Sequence, residues 1–443
     1  MIDTANAALK WQVAVSCFAA QRMLGVLPLS DREPLRSIQE LFYETGEAAK
    51  KDFRTNTWLF GSFQAGDKAQ SVFADLVSDT MRLKPLNPAY MMDMASDLFQ
   101  GSAEAVTSLV SMDELGSLTE QFRNMSDVLG FVNDADAPEE LAADGSYPLD
   151  ERIEKFYARG DYPALWLVEG LGERFARAHQ KKDRNVRDLL TAGPGAAAPR
   201  KARLMMHAGM GIAFAKDAID ELTPFSEESK VKDELRGFLQ RVRQNSMSGC
   251  EGAALESLGL VARTWYPQLV PLVSDQLQAL DADATEFFWH GAGRSMYFSP
   301  MYMVPGLSPW QAADREPPDD TARRNARAGV AWAFTIVNIR HPKVTASFLD
   351  HKADRISKND AYANGVYSTL VMAGDTVPGH KHVSEFVQYQ PEDTSQADAW
   401  AKHIGRDVAE KVDRYRQALE AQQGLGEVFR YHDLPQFVAD LET

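Results

Sequence analysis

Glu251, His290 and Arg294 are the residues whose types most directly suggest chemistry. A histidine with a neighbouring carboxylate can take and return a proton near neutral pH, and the guanidinium can assist. The aromatic run Phe287, Phe288, Trp289, Tyr297 and Phe298 around them would form either the apolar wall of a groove or cavity, or plain core. The position just before each of six recurring glycines holds Glu169, Ala208, Glu251, His290, Ala328 and Asn364, with His207 one residue earlier. Equivalent helices could bring several of these groups together. The competing use is hydrogen bonding between repeats, since buried polar groups need partners.

The elements that must position them follow from the glycines. A glycine, any residue, then a small residue recurs inside apolar stretches, as in Glu169-Gly170-Leu171-Gly172, Ala208-Gly209-Met210-Gly211, Glu251-Gly252-Ala253-Ala254, His290-Gly291-Ala292-Gly293 and Ala328-Gly329-Val330-Ala331, with a sixth copy, Asn364-Gly365-Val366-Tyr367, that has tyrosine in the small-residue place. The lead glycines lie 39, 43, 39, 38 and 36 residues apart. A period near forty fits two helices and their turns. The fold class is therefore all-α, a helical-hairpin repeat array resembling an α-solenoid, with about six repeats and an N-terminal helical module. Glycine in a helix costs about 1 kcal/mol relative to alanine, so its recurrence points to close helix packing as the structural role of Gly170, Gly209, Gly252, Gly291, Gly329 and Gly365.

Punctuation divides the chain into a helical module over 1–132, an acidic Pro/Gly linker over 133–150, the repeat domain over 151–390 and C-terminal capping helices over 391–443. Asp281-Ala-Asp-Ala-Thr285 can cap the helix that follows it, and Tyr266-Pro267 breaks the helix over Gly252–Arg263. The N-terminal aromatics, among them Phe42, Trp58 and Phe73, form that module's core or an apolar face for peripheral membrane contact.

Several chemistries lose their warrant. The Gly-x-Gly phrases place Phe175, Phe214 and Met296 where a dinucleotide fingerprint needs its third glycine, and no P-loop, HExxH or GxSxG occurs. Around His380, His382 and Glu385 a part-match to a cupin metal signature lacks the correct spacing and the strands, so a polar turn is expected and no metal or cofactor is assigned. A net charge of −16 disfavours nucleic acid. Two cysteines, Cys17 and Cys250, without metal spacing suggest a reducing compartment. No secretion signal or transmembrane segment is expected, which points to the cytoplasm.

Three phrases, His207-Ala-Gly-Met-Gly211, Phe288-Trp-His-Gly-Ala-Gly-Arg-Ser-Met-Tyr-Phe298 and Asn364-Gly-Val-Tyr-Ser-Thr-Leu-Val-Met-Ala-Gly-Asp-Thr376, give residues 150–380 a resemblance to the UnbL-type family of bacterial proteins, some encoded in enediyne biosynthesis clusters. The family brings no catalytic residues to carry over; the resemblance implies an accessory role in specialised metabolism. The leading expectation is a non-catalytic scaffold or accessory protein that binds a partner protein or an apolar small molecule. The alternatives are an enzyme acting on a hydrophobic intermediate in a helical cavity, and a protein that binds a lipid or granule surface through its N-terminal helices.

Overall fold

The computed structural model describes residues 137–138, 140–223, 226–298, 308–356, 360–421 and 424–433, with the single positions 120, 121, 124, 127, 128, 131 and 437. The N-terminal module, with its aromatic face and Cys17, lies outside the described residues apart from those single positions. The chain divides into two compact units, Met1–Ser102 with Trp265–Pro271, and Ala103–Thr264 with Leu272–Thr443. All the packing described here belongs to the second.

Among the described residues every regular element is helical, as the glycine period predicts. Six long helices carry the recurring phrase: α2 (Asp161–Lys182), α4 (Arg200–Ile219), α6 (Glu251–Trp265), α8 (Ala282–Phe298), α10 (Asp320–Asn338) and α12 (Ala361–Thr376). Between them run α5 (Glu228–Asn245), α7 (Val270–Leu280), α9 (Ser308–Arg315) and α11 (Pro342–Ile356), with the short α1 (Leu149–Ala158) and α3 (Gly193–Ala197) near the start. Helices α13 (Lys381–Val387), α14 (Thr394–His403) and α15 (Val408–Ala421) follow, then a 3-10 turn over Leu425–Phe429. The expected cap at the start of α8 forms, the Asp281 carboxylate accepting the Ala284 N–H at 3.0 Å; Asp319, which the sequence reading did not single out, caps α10 by accepting the Ala322 N–H at 2.8 Å. Helix α6 stops at Trp265, ahead of Pro267.

Helix-to-helix contact follows one rule. The lead residue of each phrase rests on the main-chain carbonyl of the residue that precedes the lead of the helix before it: Gly209 on Glu169, Gly291 on Glu256, Gly329 on His290, Gly365 on Ala328. Two residues further on, the phrase turns to the next helix, with Gly172 against Met206, Gly211 against Ala254, Gly259 against Phe288 and Gly293 against Ala326. At each of these positions a Cβ would come within 3.0 Å of backbone, a separation real side chains do not adopt. Glycine is required because backbone meets backbone, and backbone cannot move aside as a side-chain tip can.

That rule corrects one register. In α6 the lead is Ser257, whose hydroxyl donates to the Ala208 carbonyl at 2.8 Å, so the structural copy reads Glu256-Ser257-Leu258-Gly259. Gly252 serves another contact: a Cβ there would strike the Gly426 carbonyl in the C-terminal turn. Gly170 is half-buried, and in its phrase Gly172 meets the backbone of the neighbouring helix.

The row curls on itself. Helix α12 returns to pack on α4, and the Tyr157 hydroxyl, at the end of α1, donates to the carbonyls of Lys201 and Thr376 at 3.0 and 2.8 Å. From α2, Tyr162 donates to Val337 of α10 at 3.1 Å and Trp166 meets Phe298 of α8 edge-on. The long helices are accordingly buried over most of their surface, α10 at nearly every position from Asn325 to Asn338, and their inner faces look into a shared interior rather than onto an open groove. Part of the expected linker packs too: Tyr147 lies edge-on to Phe175, and Arg174 donates to the Ala137 carbonyl at 2.8 Å.

Candidate functional site

At the centre of the interior, four polar side chains from three helices meet. His290 Nδ1 lies 3.1 Å from Glu256 Oε1, and Arg294, one turn further along α8, donates to Glu256 Oε2 at 2.9 Å and to Glu169 Oε1 at 3.3 Å. Glu256 and His290 are completely buried and Arg294 is 2 % exposed. Arg294 also lies 4.3 Å over the Trp332 ring, so a guanidinium that has lost its water gains two carboxylates and an aromatic face.

The carboxylate that reaches His290 is thus Glu256. Glu251 stands half-buried in the first turn of α6, five residues earlier and so about 7 Å away along the axis. With the corrected register, the residue before each lead position reads Glu169, Ala208, Glu256, His290, Ala328, Asn364, and three of these six converge.

Electrostatics follow from burial. Desolvation pushes the Glu169 carboxyl above its ordinary range, with Arg294 opposing. Desolvation also holds the His290 imidazole below its ordinary value, against the pull of Glu256. Burial alone would lower Arg294, but Glu256 and Glu169 together raise it. Two carboxylates share one guanidinium here, and burial disfavours the charged form of Glu169 and of His290 alike. Neutral His290 then donates from Nδ1 to Glu256 and keeps its lone pair on Nε2.

The interior is closed from one side by the C-terminal segment. Phe429, fully buried, meets His290 edge-on at 6.4 Å and Trp332 at 5.8 Å between ring centres, and lies 5.9 Å from the Arg294 guanidinium. Gly426 N–H donates to the Gly249 carbonyl at 2.6 Å, Asn364 donates to the His432 carbonyl at 2.8 Å, and Tyr431 N–H donates to Asn325 Oδ1 at 2.7 Å. The chain beyond the C-terminal helices therefore enters the row.

The remaining sequence candidates are dispersed. Trp289 faces α7 and donates to Ser274 Oγ at 3.0 Å. The Tyr297 hydroxyl accepts from Asn338 at 3.3 Å, and desolvation drives its pKa upward. His207, 1 % exposed, accepts the Met247 N–H on Nε2 at 2.9 Å and orders a turn outside the cluster. The aromatic run of α8 is core from Phe287 through Tyr297. His380 precedes α13 and His382 pairs with Glu385 at 2.9 Å on that helix, so the part-match to a strand-borne metal signature is helical here. Among the described residues no group of three or more histidine, cysteine or acidic side chains is placed to hold a metal ion. Cys250 is a free thiol pushed up to about 12 by burial, and so is a poor nucleophile.

Sequence reasoning did not single out a cleft of about 910 Å³ where α4, α12, α13 and α15 meet. Leu370, Val371, Val383 and Val412 contribute apolar wall, and Arg200 and Asp375 face each other at 3.6 Å along it. Burial raises the pKa of Asp375, with Arg200 opposing. Among the described residues no helix is long and apolar enough to cross a membrane.

Comparison of the chain with family models, curated proteins and solved structures finds no match in any of the three.

Proposed function

We propose that the chain is a non-catalytic, cytoplasmic accessory protein that binds an apolar small molecule in the cleft between α4, α12, α13 and α15. The observation that carries this reading is the cleft itself. Its volume of about 910 Å³ suits a metabolite-sized ligand, and Leu370, Val371, Val383 and Val412 give it apolar wall between charged side chains that include Arg200, Asp375, Asp413, Arg416 and Glu420. The buried cluster supports the non-catalytic part, because Arg294 holds both carboxylates that could otherwise serve as acid or base. The resemblance to the UnbL-type family is the ground for expecting the ligand to come from specialised metabolism.

Gly374 offers the test. It lines the cleft, and a Cβ built there meets nothing within 4 Å, so Gly374→Trp introduces an indole at the cleft from an open position. Native mass spectrometry of the protein purified gently from its host should show a small molecule that Gly374→Trp loses. A co-purifying protein subunit with no small molecule would replace this reading with the scaffold one.

A second reading, an enzyme using His290 as base with Glu256 behind it, is favoured by one observation: His290 Nε2 has no partner. Turnover of a hydrophobic hydroxylated substrate that His290→Ala abolishes in a variant that remains folded would establish it.

A further inference from the structure

Three side chains that pack on the Phe429 ring each bury a nitrogen with no hydrogen-bond partner: His290 Nε2, Arg294 Nε and Trp332 Nε1. They also pack on one another, Arg294 at 4.3 Å over Trp332 and His290 at 6.5 Å from it. A buried polar group left unpaired is costly, and native interiors hold few of them. Finding three on neighbouring side chains, around one ring brought in from outside the repeats, asks for a reason.

The chemistry of the three is specific. Arg294 Nε–H and Trp332 Nε1–H can only donate. With Nδ1–H given to Glu256, His290 Nε2 can only accept. Two donors and one acceptor complement a group that accepts and donates through the same atom, which is a hydroxyl. The seat that the Phe429 ring fills has one aromatic wall, the Trp332 ring, 5.8 Å from it and tilted at 37°.

We propose that Phe429 occupies the seat of a second ligand, a planar ring bearing a hydroxyl, and that this phenol-like molecule binds His290, Arg294 and Trp332 when the C-terminal segment withdraws. The site is separate from the cleft and goes beyond that reading. Withdrawal requires no covalent change: the hydrogen bonds from Gly426, Tyr431 and Asn364 that hold the segment would exchange for bonds to water.

Full-length Phe429→Ala, titrated by calorimetry with phenol and separately with toluene, tests it. Transfer from water favours toluene, so an ordinary apolar cavity binds toluene at least as tightly. The proposal expects phenol to bind at least tenfold tighter, with that advantage lost when Trp332→Phe is added. Toluene binding as tightly as phenol, or neither binding, overturns it. Should Phe429→Ala not fold, hydrogen exchange of the Gly426 and Tyr431 amides in the wild type decides: saturating phenol should speed both at least tenfold, and unchanged rates overturn the proposal. Gly374→Trp should leave phenol binding intact, so failure here and failure of the cleft reading give different results.

Discussion

Gly291 rests on the main-chain carbonyl of Glu256, and the residue beside it, His290, takes the Glu256 carboxylate on Nδ1 at 3.1 Å. Backbone approach and side-chain pairing thus occur at one point of the α6–α8 contact, and the polar cluster depends on the glycine that lets the helices close.

Gly291→Ala should therefore destabilise the protein by at least 1–3 kcal/mol, the usual cost of overpacking, because the added methyl meets backbone that cannot yield. Gly374→Ala, with nothing near the new methyl, should raise stability by about 1 kcal/mol through helix propensity and a less flexible unfolded chain. Urea denaturation of both variants checks the pair. Similar small effects from the two would mean the repeat glycines are not close-packing positions.

Within the cluster the two carboxylates should behave differently. Glu256→Ala strips Arg294 of its shorter bond and His290 of its partner inside a dry interior, a loss on the order of 3–5 kcal/mol. Glu169→Gln should cost about 1 kcal/mol or less, because burial already favours the neutral acid that glutamine mimics. The raised Glu169 pKa sets the sign with pH: its contribution is fully present below the ordinary 4.5 and is lost as pH rises through the folded value. Wild type should lose stability relative to Glu169→Gln over that rise, as denaturation midpoints across the pH range would show; a constant difference would place the proton elsewhere.

The helical class and the helices that carry the glycine phrases could be read from the sequence because glycine has a backbone consequence that other residues lack. The same reasoning found the position before each lead glycine and three of the cluster's members, Glu169, His290 and Arg294. It took Glu251 for Glu256 because α6 substitutes Ser257 for glycine at the lead position and carries Gly252 one turn earlier, for contact with Gly426. A serine whose single hydroxyl proton lies between the Ala208 carbonyl at 2.8 Å and the Ala253 carbonyl at 3.2 Å takes the glycine's place there, and no periodicity reveals that. Phe429 and the cleft were hidden for another reason: both are made by elements far apart in the chain, and no local pattern records their meeting.

His207 gives the last prediction, on acid stability. Its Nε2 accepts the Met247 N–H at 2.9 Å, and Nδ1 donates to the Arg203 carbonyl at 2.6 Å, an arrangement open only to the neutral ring. Burial, with the nearby Arg203 charge adding to it, pushes the pKa down to about 4 from the ordinary 6.5, although the bond to the Arg203 carbonyl opposes the shift. A depressed value means the contribution is complete above pH 6.5 and is lost as pH falls through about 4. The shift is worth roughly 3 kcal/mol. His207→Phe cannot titrate, so although it loses the Met247 bond and is less stable at pH 7, its stability should fall less steeply between pH 6.5 and 4. Urea denaturation of both proteins at pH 7, 5.5 and 4.5 measures the two slopes, and the wild-type slope should be the steeper. Parallel slopes would show that His207 takes up its proton without leaving its place, and the turn at Met247 would then have to be held by something other than the imidazole lone pair.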